Sequence, residues 1–270
     1  MKKTYTPLVT IVTVSYNAVA LIEKTMLSII NQSYSNIEYI VIDGDSTDGT
    51  VDIIKKYDAR INHWISEKDS GIYDAMNKGI DLATGKWINF MNCGDYFYNN
   101  NVIDNFIAIS LNNTFDIFYG DSIFKFKWGN VLWKPHPLNQ ITKVNPLTQQ
   151  ACFFDTHLMK EKHYDLEYKI AADYNFYYIS YFEGKVFFYE PIPICFYIAD
   201  IGLSAENGLA CHKEFAKIAG KEKSLIFEYK YVLYRLRISF HQLLKRVFPS
   251  SFLSFYRNIK FKNRMLPPNL

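Results

Sequence analysis

Residues 66–95 read SEKDSGIYDAMNKGIDLATGKWINFMNCGD, and this stretch sets the architecture of the chain. It leaves the end of one predicted strand, forms a helix predicted over residues 72–83 and enters an apolar strand predicted over residues 86–91. That strand stops at Asn92-Cys93-Gly94-Asp95. Open α/β sheets bind their ligands just beyond the carboxyl ends of their strands, which is where the sequence places this carboxylate. Asp95 is therefore the first candidate for a functional residue.

Strands and helices alternate through the first hundred residues. Apolar, β-branched runs predict strands at 8–15, 37–42 and 61–65, and helical spacing of apolar residues predicts a helix over 18–32 and another that ends near Tyr57. The first run, LVTIVTVS, lacks alternation, which indicates burial on both faces. Short connections between such elements are typical of a mostly parallel, Rossmann-like α/β sheet with helices on both faces.

The pattern changes after about residue 100. Antiparallel strands are predicted at 116–127 and 131–134, a helix at 170–182, and short strands at 151–154, 186–189 and 195–198. We therefore expect a parallel nucleotide-binding half over about 1–100 and a mixed half over about 101–220. A tail over 221–270 follows them.

Composition excludes several classes of protein. The 270 residues are 49% hydrophobic and 21% charged, as in an ordinary globular protein. The N-terminus lacks an apolar signal segment, and no uncharged apolar run approaches the roughly 18 residues that span a membrane. Four dispersed cysteines show no CxxC spacing, so reduced thiols in a cytoplasmic protein are expected rather than a zinc site or a disulfide framework.

The tail is basic and the rest of the chain is acidic. From Lys221 onward there are eleven Lys and Arg but two Glu, so the tail carries +9 and the preceding residues carry −6. Basic residues interleaved with Leu, Phe and Tyr predict an amphipathic helix that suits an anionic membrane surface. The alternative is a C-terminal helix that packs on the domain or on a partner subunit. No motif of a nucleic-acid reader accompanies the charge.

Phosphate-binding loops of the usual kinds are absent from the sequence. There is no G-x-G-x-x-G after the first strand and no G-x-x-x-x-G-K-[ST]. The phosphates of a bound nucleotide would then need another counter-charge. A divalent metal on Asp95 would supply it, because Mg²⁺ typically binds one or two carboxylates together with substrate phosphates. Asp95 could equally cap the helix after Asn99.

Three other carboxylates have both a functional and a structural interpretation. Asp43 ends a strand and could accept a hydrogen bond from the imide N–H of a uracil, or cap the next helix. Asp69 lies at a Gly-containing turn and could be a turn residue. Asp173 lies in the aromatic segment YKIAADYNFYYISY, where an unpaired charge is costly, so it either caps a helix or faces a polar cavity.

Four ordered segments, PLVTIVTVSYN, EYIVIDGDSTDGT, SEKDSGIYDAMNKGI and ATGKWINFMNCGDYF, together resemble the family 2 glycosyltransferases. The resemblance covers roughly residues 7–200 and is strongest to bacterial enzymes of O-antigen, capsule or exopolysaccharide assembly. It implies the GT-A fold and an inverting transfer from a nucleotide-sugar, with UDP as the nucleotide, that depends on Mn²⁺ or Mg²⁺. It also implies a glycan or lipid-linked acceptor and a cytoplasmic protein, peripheral on the membrane if the tail binds lipid.

The resemblance also implies roles for individual residues. Asp173 falls at the position of the catalytic base, and Asp95 would be the sole acidic metal ligand of a DxD-like motif that has Asn92 and Gly94 at its other two positions. Gln149 replaces a His that the family often has, so we assign it no role. The expected contacts to the nucleotide-sugar are made by Val14, Tyr16, Asp43, Asp69, Asn77, Asn92 and Gly94.

Two other classes of function stay open at this point. A nucleotide-sugar-binding protein without turnover would fit a metal motif that has Asp95 as its sole carboxylate, but it would not need Asp173. A nucleotidyltransferase shares the sheet-plus-carboxylate plan. It would usually carry a loop rich in glycine and basic residues after the first strand, where this chain has Tyr16-Asn17-Ala18.

Overall fold

The computed structural model describes residues 6–200, 202, 207–224, 229, 231–233, 235–236 and 265–266. The strands of this part are β1 (Val9–Ser15), β2 (Ile37–Asp43), β3 (His63–Ser66), β4 (Trp87–Phe90), β5 (Tyr96–Phe97), β6 (Ile117–Phe126), β7 (Gly129–Trp133), β8 (Cys152–Asp155) and β9 (Phe187–Ile198). Its helices are α1 (Ile22–Ile30), α2 (Thr50–Lys56), α3 (Ile72–Leu82), α4 (Val102–Ser110), α5 (Thr156–Lys162), α6 (Ala172–Phe182) and α7 (Gly208–Ile218). Single 3₁₀ turns occur at Asp58–Arg60, Leu138–Gln140 and Gln149–Ala151.

All nine strands of the described chain belong to one sheet. Its order is β3-β2-β1-β4-β8-β6-β9-β5, and β7 pairs with the distal part of β6. Strands β1 to β4 are mutually parallel, whereas β8 joins both β4 and β6 in antiparallel fashion. The expected mixed α/β sheet is confirmed, and β8 is where its parallel half meets its mixed half.

Helices cover both faces of the sheet, as expected. Along β1, alternate residues enter two separate apolar clusters, so every residue of this strand is buried. One cluster packs the sheet against α3, α5 and α6, and the other packs it against α1, α2 and α4. This double burial explains why β1 reads as a continuous apolar run.

Strand β9 differs from the prediction. The two short strands predicted at 186–189 and 195–198 form one twelve-residue strand parallel to β6. Its register shifts between the Tyr119–Tyr189 and Ser122–Cys195 pairs, where Pro191 and Pro193 lie. Proline cannot donate to a ladder, so the strand continues through an irregularity instead of ending. The short strand β5 and the helices α5 and α7 were not predicted.

The predicted basic tail over 221–270 lies mostly outside the described residues. Two of its described positions lie along β7, where the N–H of Leu266 donates to the carbonyl of Asn130 (3.0 Å). Within the described chain, no helix is long and apolar enough to cross a membrane.

Candidate functional site

The carboxyl ends of β1, β2 and β3 meet at one edge of the sheet, and Asp43 ties them together. Its buried carboxylate accepts hydrogen bonds from the Ser15 hydroxyl (2.8 Å) and the Ser66 hydroxyl (2.7 Å). It also accepts from the backbone N–H (2.9 Å) and the hydroxyl (2.6 Å) of Ser46. All four donors belong to the protein, so the geometry gives Asp43 a supporting role, and its contact with a base stays a prediction.

The loops after β1 and β2 are also fastened to each other. The N–H of Asn17 donates to the Ser46 hydroxyl (2.8 Å), and the Asn17 side-chain oxygen accepts from the N–H of Thr47 (3.0 Å). Asn17 and Asp45 both have positive φ, which Asn and Asp tolerate better than most residues. These hydrogen bonds join the two loops into one surface at the sheet edge, which we call the floor of the site.

Tyr16, Gly44 and Asp69 come together on this floor. A Cβ atom at Gly44 would lie 2.6 Å from Oδ2 of Asp69 and 3.3 Å from Cδ2 of Tyr16, so glycine alone leaves room for both side chains. The Tyr16 side chain is 67% exposed, and Asp69 Oδ1 accepts from the N–H of Gly71 (2.9 Å). No described residue donates to Asp69 Oδ2. An exposed ring and an available carboxylate oxygen thus share one surface.

The tight turn after β4 presents Asp95. The N–H of Asp95 donates to the carbonyl of Asn92 (3.0 Å), and Gly94 has φ +102°, a conformation that favours glycine. The hydroxyl of Thr25 accepts from the N–H of Gly94 (3.0 Å) and donates to the carbonyl of Asp95 (2.7 Å). Helix α1 therefore holds this turn in place.

The Asp95 carboxyl group points into the protein. Its Oδ2 accepts from the side-chain amide of Gln150 (2.7 Å), and its Oδ1 accepts from the N–H of Ile198 at the end of β9 (2.8 Å). The side chain is almost fully buried, and this burial raises its pKa to about 7 despite the two hydrogen bonds. Burial therefore favours the neutral acid more than in an ordinary, exposed aspartate.

Gln149 joins the Asp95 turn to the opposite side of the site. Its buried side-chain amide donates to the hydroxyl of Tyr164 (2.7 Å), and its oxygen accepts from the amide of Asn92 (3.3 Å). The side-chain oxygen of Asn92 is buried, and no described residue donates to it. No role was predicted for Gln149 or Gln150, whose one signal in the sequence is an adjacent pair of amides before a strand.

Asp173 lies in the first turn of α6, where the helix dipole favours a negative charge. Its carboxyl group accepts from the Tyr73 hydroxyl (3.0 Å) and from the side-chain amide of Asn145 (3.4 Å). Burial raises the pKa of Asp173 above its usual range, although these hydrogen bonds act in the opposite direction. The side chain is half-buried, so one part of it faces solvent.

Asn77 and Val14 have structural contacts. The side-chain amide of Asn77 donates to the carbonyl of Tyr164 (2.9 Å), and its oxygen accepts from the N–H of Tyr164 (2.8 Å). Helix α3 is thereby clamped to the segment before α6. The side chain of Val14 is buried in the apolar cluster beneath α3. Direct contacts of either residue with a nucleotide-sugar stay predictions.

The residues at the Asp95 turn fit a divalent cation held jointly with a ligand. No three His, Cys, Asp or Glu side chains of the described chain cluster closely enough to hold a metal by themselves. The turn offers one carboxylate, each of whose oxygens accepts one hydrogen bond and keeps a second lone pair, and Asn92 adds a buried amide oxygen without a described donor. Hard cations prefer oxygen ligands, and Mg²⁺ commonly completes its shell with phosphate oxygens and water.

Comparison with known families identifies the chain. The model of the family described as "Glycosyl transferase family 2" matches residues 10–175. The chain belongs to glycosyl transferase family 2. The match includes the loops after β1 and β2, the Asp95 turn and Asp173. Family membership confirms that the protein is a glycosyltransferase, and it leaves the nucleotidyltransferase alternative without support.

Two curated relatives of the chain are named as glycosyltransferases. A "PGL/p-HBAD biosynthesis glycosyltransferase" of Mycobacterium bovis (strain BCG / Pasteur 1173P2) is 30% identical over 178 residues, which cover 63% of this chain and 68% of the relative. The "Putative teichuronic acid biosynthesis glycosyltransferase TuaG" of Bacillus subtilis (strain 168) is 41% identical over 92 residues, which cover 33% of this chain and 36% of TuaG.

Solved structures confirm the GT-A fold. S. aureus TarS 1-349 in complex with UDP-GlcNAc has a TM-score of 0.65 at 18% identity, over 78% of this chain and 64% of that chain. The mannosyltransferase PcManGT from Pyrobaculum calidifontis, in complex with GDP-Man and Mn²⁺, has a TM-score of 0.63 at 17% identity, over 80% of this chain and 64% of that chain. The chain thus spans less than two thirds of either solved neighbour.

Proposed function

We propose that this family 2 glycosyltransferase transfers a sugar from a UDP-sugar, with inversion, to a hydroxyl of a glycan or lipid-linked acceptor. The observation that carries the proposal is that Asp95 and Asp173, two carboxyl groups whose pKa burial raises, lie at the two ends of a chain of side-chain contacts. The Gln150 amide donates to Asp95, and the amide of the adjacent Gln149 donates to the Tyr164 hydroxyl. The Tyr164 ring packs on the Tyr73 ring, with centroids 5.2 Å apart, and the Tyr73 hydroxyl donates to Asp173.

The donor site is assigned to the floor beneath Tyr16. We assign to the Tyr16 ring the stacking with the uracil and to Asp43 the hydrogen bond from its imide N–H, and we place Asp69 near the diphosphate and sugar. Four hydrogen bonds from Ser15, Ser46 and Ser66 hold the Asp43 carboxylate at this edge of the sheet. Support for a UDP donor comes from TarS, a neighbour solved with UDP-GlcNAc.

A divalent metal, Mn²⁺ or Mg²⁺, would be held by Asp95 and Asn92 together with the diphosphate. When bound, it would offset the negative charge of the leaving UDP. PcManGT, solved with Mn²⁺, supports this assignment. In the chain itself, the Thr25 hydroxyl and the Gln150 amide hold the Asp95 turn in one orientation, and such preorganisation avoids rearrangement during the reaction.

Asp173 is assigned the role of general base. Its carboxylate removes the proton of the acceptor hydroxyl as that oxygen attacks the anomeric carbon from the face opposite UDP. The new C–O bond forms as the bond to the diphosphate breaks, which inverts the anomeric centre. A raised pKa suits this role, because a base is most effective when its pKa lies near the working pH.

Bacterial surface polysaccharide biosynthesis is the proposed setting. TuaG is named for teichuronic acid biosynthesis, and the mycobacterial relative is named for PGL/p-HBAD biosynthesis. We assign residues 1–220 to the catalytic domain, with its nucleotide-binding half near 1–100 and its acceptor-side half near 101–220. A nucleotide-sugar-binding protein without turnover is the second candidate, and measurable UDP release from a UDP-sugar would exclude it.

Isothermal titration with UDP, with and without Mn²⁺, tests the donor site. We expect micromolar binding, and Tyr16→Ala should weaken it by about tenfold, because stacking of a base on an aromatic ring is worth roughly 1–3 kcal/mol. Val19→Ala, at another exposed side chain of the same loop, should leave the affinity within twofold. No UDP binding under any condition would overturn the proposed donor.

The basic tail is proposed to dock this enzyme on the cytoplasmic face of a membrane. Flotation with vesicles of phosphatidylglycerol and phosphatidylcholine tests the idea on the full-length chain. A variant with Lys245, Arg246, Arg257, Lys260, Lys262 and Arg264 all changed to Gln should lose flotation, because each basic residue contributes about 1 kcal/mol of attraction. Equal flotation of both proteins would favour the alternative that the tail packs on the domain.

A further inference from the structure

Tyr73 presents one hydroxyl proton to two acceptors. Its oxygen lies 2.8 Å from the carbonyl oxygen of Ile170 and 3.0 Å from Oδ1 of Asp173. We propose that Tyr73 is the positioning residue of the base: its O–H donates to Asp173 when that carboxylate is charged and turns to Ile170 when the carboxyl is neutral. The inference rests on the proposed role of Asp173 as general base.

Packing and hydrogen bonds hold the Tyr73 ring and the Ile170 peptide in place, so a change of acceptor requires the hydroxyl proton alone to reorient. The Tyr73 side chain is buried and its ring packs on Tyr164. The peptide of Ile170 is held from α7, where the Glu214 carboxylate accepts hydrogen bonds from the N–H groups of Lys169, Ile170 and Ala171 (each 2.9 Å). Helix α7 therefore sets the position of the alternative acceptor.

The two orientations of the hydroxyl match the two states of the base. Before transfer, the charged carboxylate is the stronger acceptor, and the hydrogen bond from Tyr73 orients Asp173. During transfer, the O–H bond of the sugar acceptor breaks and a new O–H bond forms on the Asp173 carboxyl. The Tyr73 proton then turns to Ile170 without leaving its oxygen, since burial raises the pKa of Tyr73 well above its usual value. Proton count and charge balance at each stage.

The phenols and thiols that face Asp173 from neighbouring elements are uncharged near neutral pH. Burial raises the pKa values of these phenols and thiols above their usual range. The Glu214 carboxyl group on α7 is bound by three backbone N–H groups of the segment before α6. The neutral groups are Tyr73 on α3, Cys152 on β8, Tyr164 before α6, Tyr177 on α6, Cys211 on α7 and the Asn145 amide.

The test is an NMR titration of the full-length chain labelled with ¹³C at the aspartate carboxyl groups. Loss of one signal in Asp173→Asn assigns Asp173. In Tyr73→Phe, the midpoint of this signal should rise by about one pH unit, because a hydrogen bond to the charged form has been removed. An unchanged midpoint in a folded Tyr73→Phe protein would overturn the proposal.

Tyr174→Phe is the matched control. Tyr174 is a buried tyrosine beside Asp173, but its hydroxyl donates to the carbonyl of Ile141 instead of the carboxylate. The Tyr174→Phe variant should keep the titration midpoint of Asp173 within about 0.2 pH units of the wild-type value, although this variant also loses a buried hydrogen bond from a hydroxyl group. An equal rise in both variants would show a general structural effect and overturn the inference.

A second measurement does not depend on the folding of Tyr73→Phe. In wild-type protein labelled with 3-fluorotyrosine, at least one ¹⁹F signal should titrate at the midpoint of Asp173 and become pH-independent in Asp173→Asn. Absence of such a signal would contradict the proposal. Neither titration needs a donor or an acceptor, so a failed base assignment, seen as normal turnover in Asp173→Asn, is distinguishable from a failed role for Tyr73.

Discussion

Asp173→Asn should lower the rate of sugar transfer by about 10²- to 10⁴-fold and leave the affinity for UDP unchanged. The amide has nearly the same shape as the carboxyl group and keeps an oxygen for the Tyr73 hydroxyl, but it cannot take a proton from the acceptor. Transfer is measured as UDP release in the presence of Mn²⁺, with the UDP-sugar that the wild-type protein turns over fastest. Affinity is measured by titration with UDP.

Asp165→Asn is the matched control for this prediction, because Asp165 is an exposed carboxylate of the segment before α6. Its oxygen accepts only from the N–H of Glu167 among the described residues (2.9 Å), so we expect turnover within twofold of the wild type. The transfer rate of the wild-type protein should fall as the pH is lowered, with a midpoint above the usual pKa range of an aspartate, because burial raises the pKa of Asp173. Normal turnover in Asp173→Asn would end the base assignment.

Much of the nucleotide-binding half was predictable from sequence because its signals are local. The apolar run of β1 and the helical spacing of α3 place those elements to within one residue of their observed bounds. The turn at Asn92–Asp95 was predictable for the same reason, because an apolar strand ends abruptly at a glycine and a carboxylate. Local patterns could place Asp95, but they could not show which way its side chain points.

The contacts that shape the site were not predictable, because they join distant parts of the chain. Gln150 lies 55 positions from Asp95, and Ile198 lies 103 positions from it. The Tyr73 hydroxyl meets Asp173 across 100 positions. Periodicity reports the burial of one face of one element and holds no information on such pairs. The four donors to Asp43 were hidden in the same way, so a capping role and a base-binding role looked equal in sequence.

Asp95→Ala should abolish the metal-dependent part of UDP binding. The Asp95 turn has one carboxylate, so its removal leaves the Asn92 amide oxygen as the remaining side-chain ligand that we assign to the metal. Titration with UDP in the presence of Mn²⁺ should then give the same weak affinity as titration without metal. Asp52→Asn, an exposed carboxylate on α2, should retain the wild-type affinity.

The pH dependence of this binding gives a second test of the same residue. Burial raises the pKa of Asp95 to about 7, and a metal binds the carboxylate but not the acid, so protons compete with the metal. In the wild-type protein, the affinity for UDP with Mn²⁺ should therefore fall as pH drops below 7, by at most about tenfold per pH unit, and level off above it. In Asp95→Ala this dependence should vanish, because the titrating group is gone. Metal-dependent binding that survives in Asp95→Ala with the wild-type pH profile would show that the cation is held elsewhere, and Asp95 would then be a structural acid that fastens β9 to the turn.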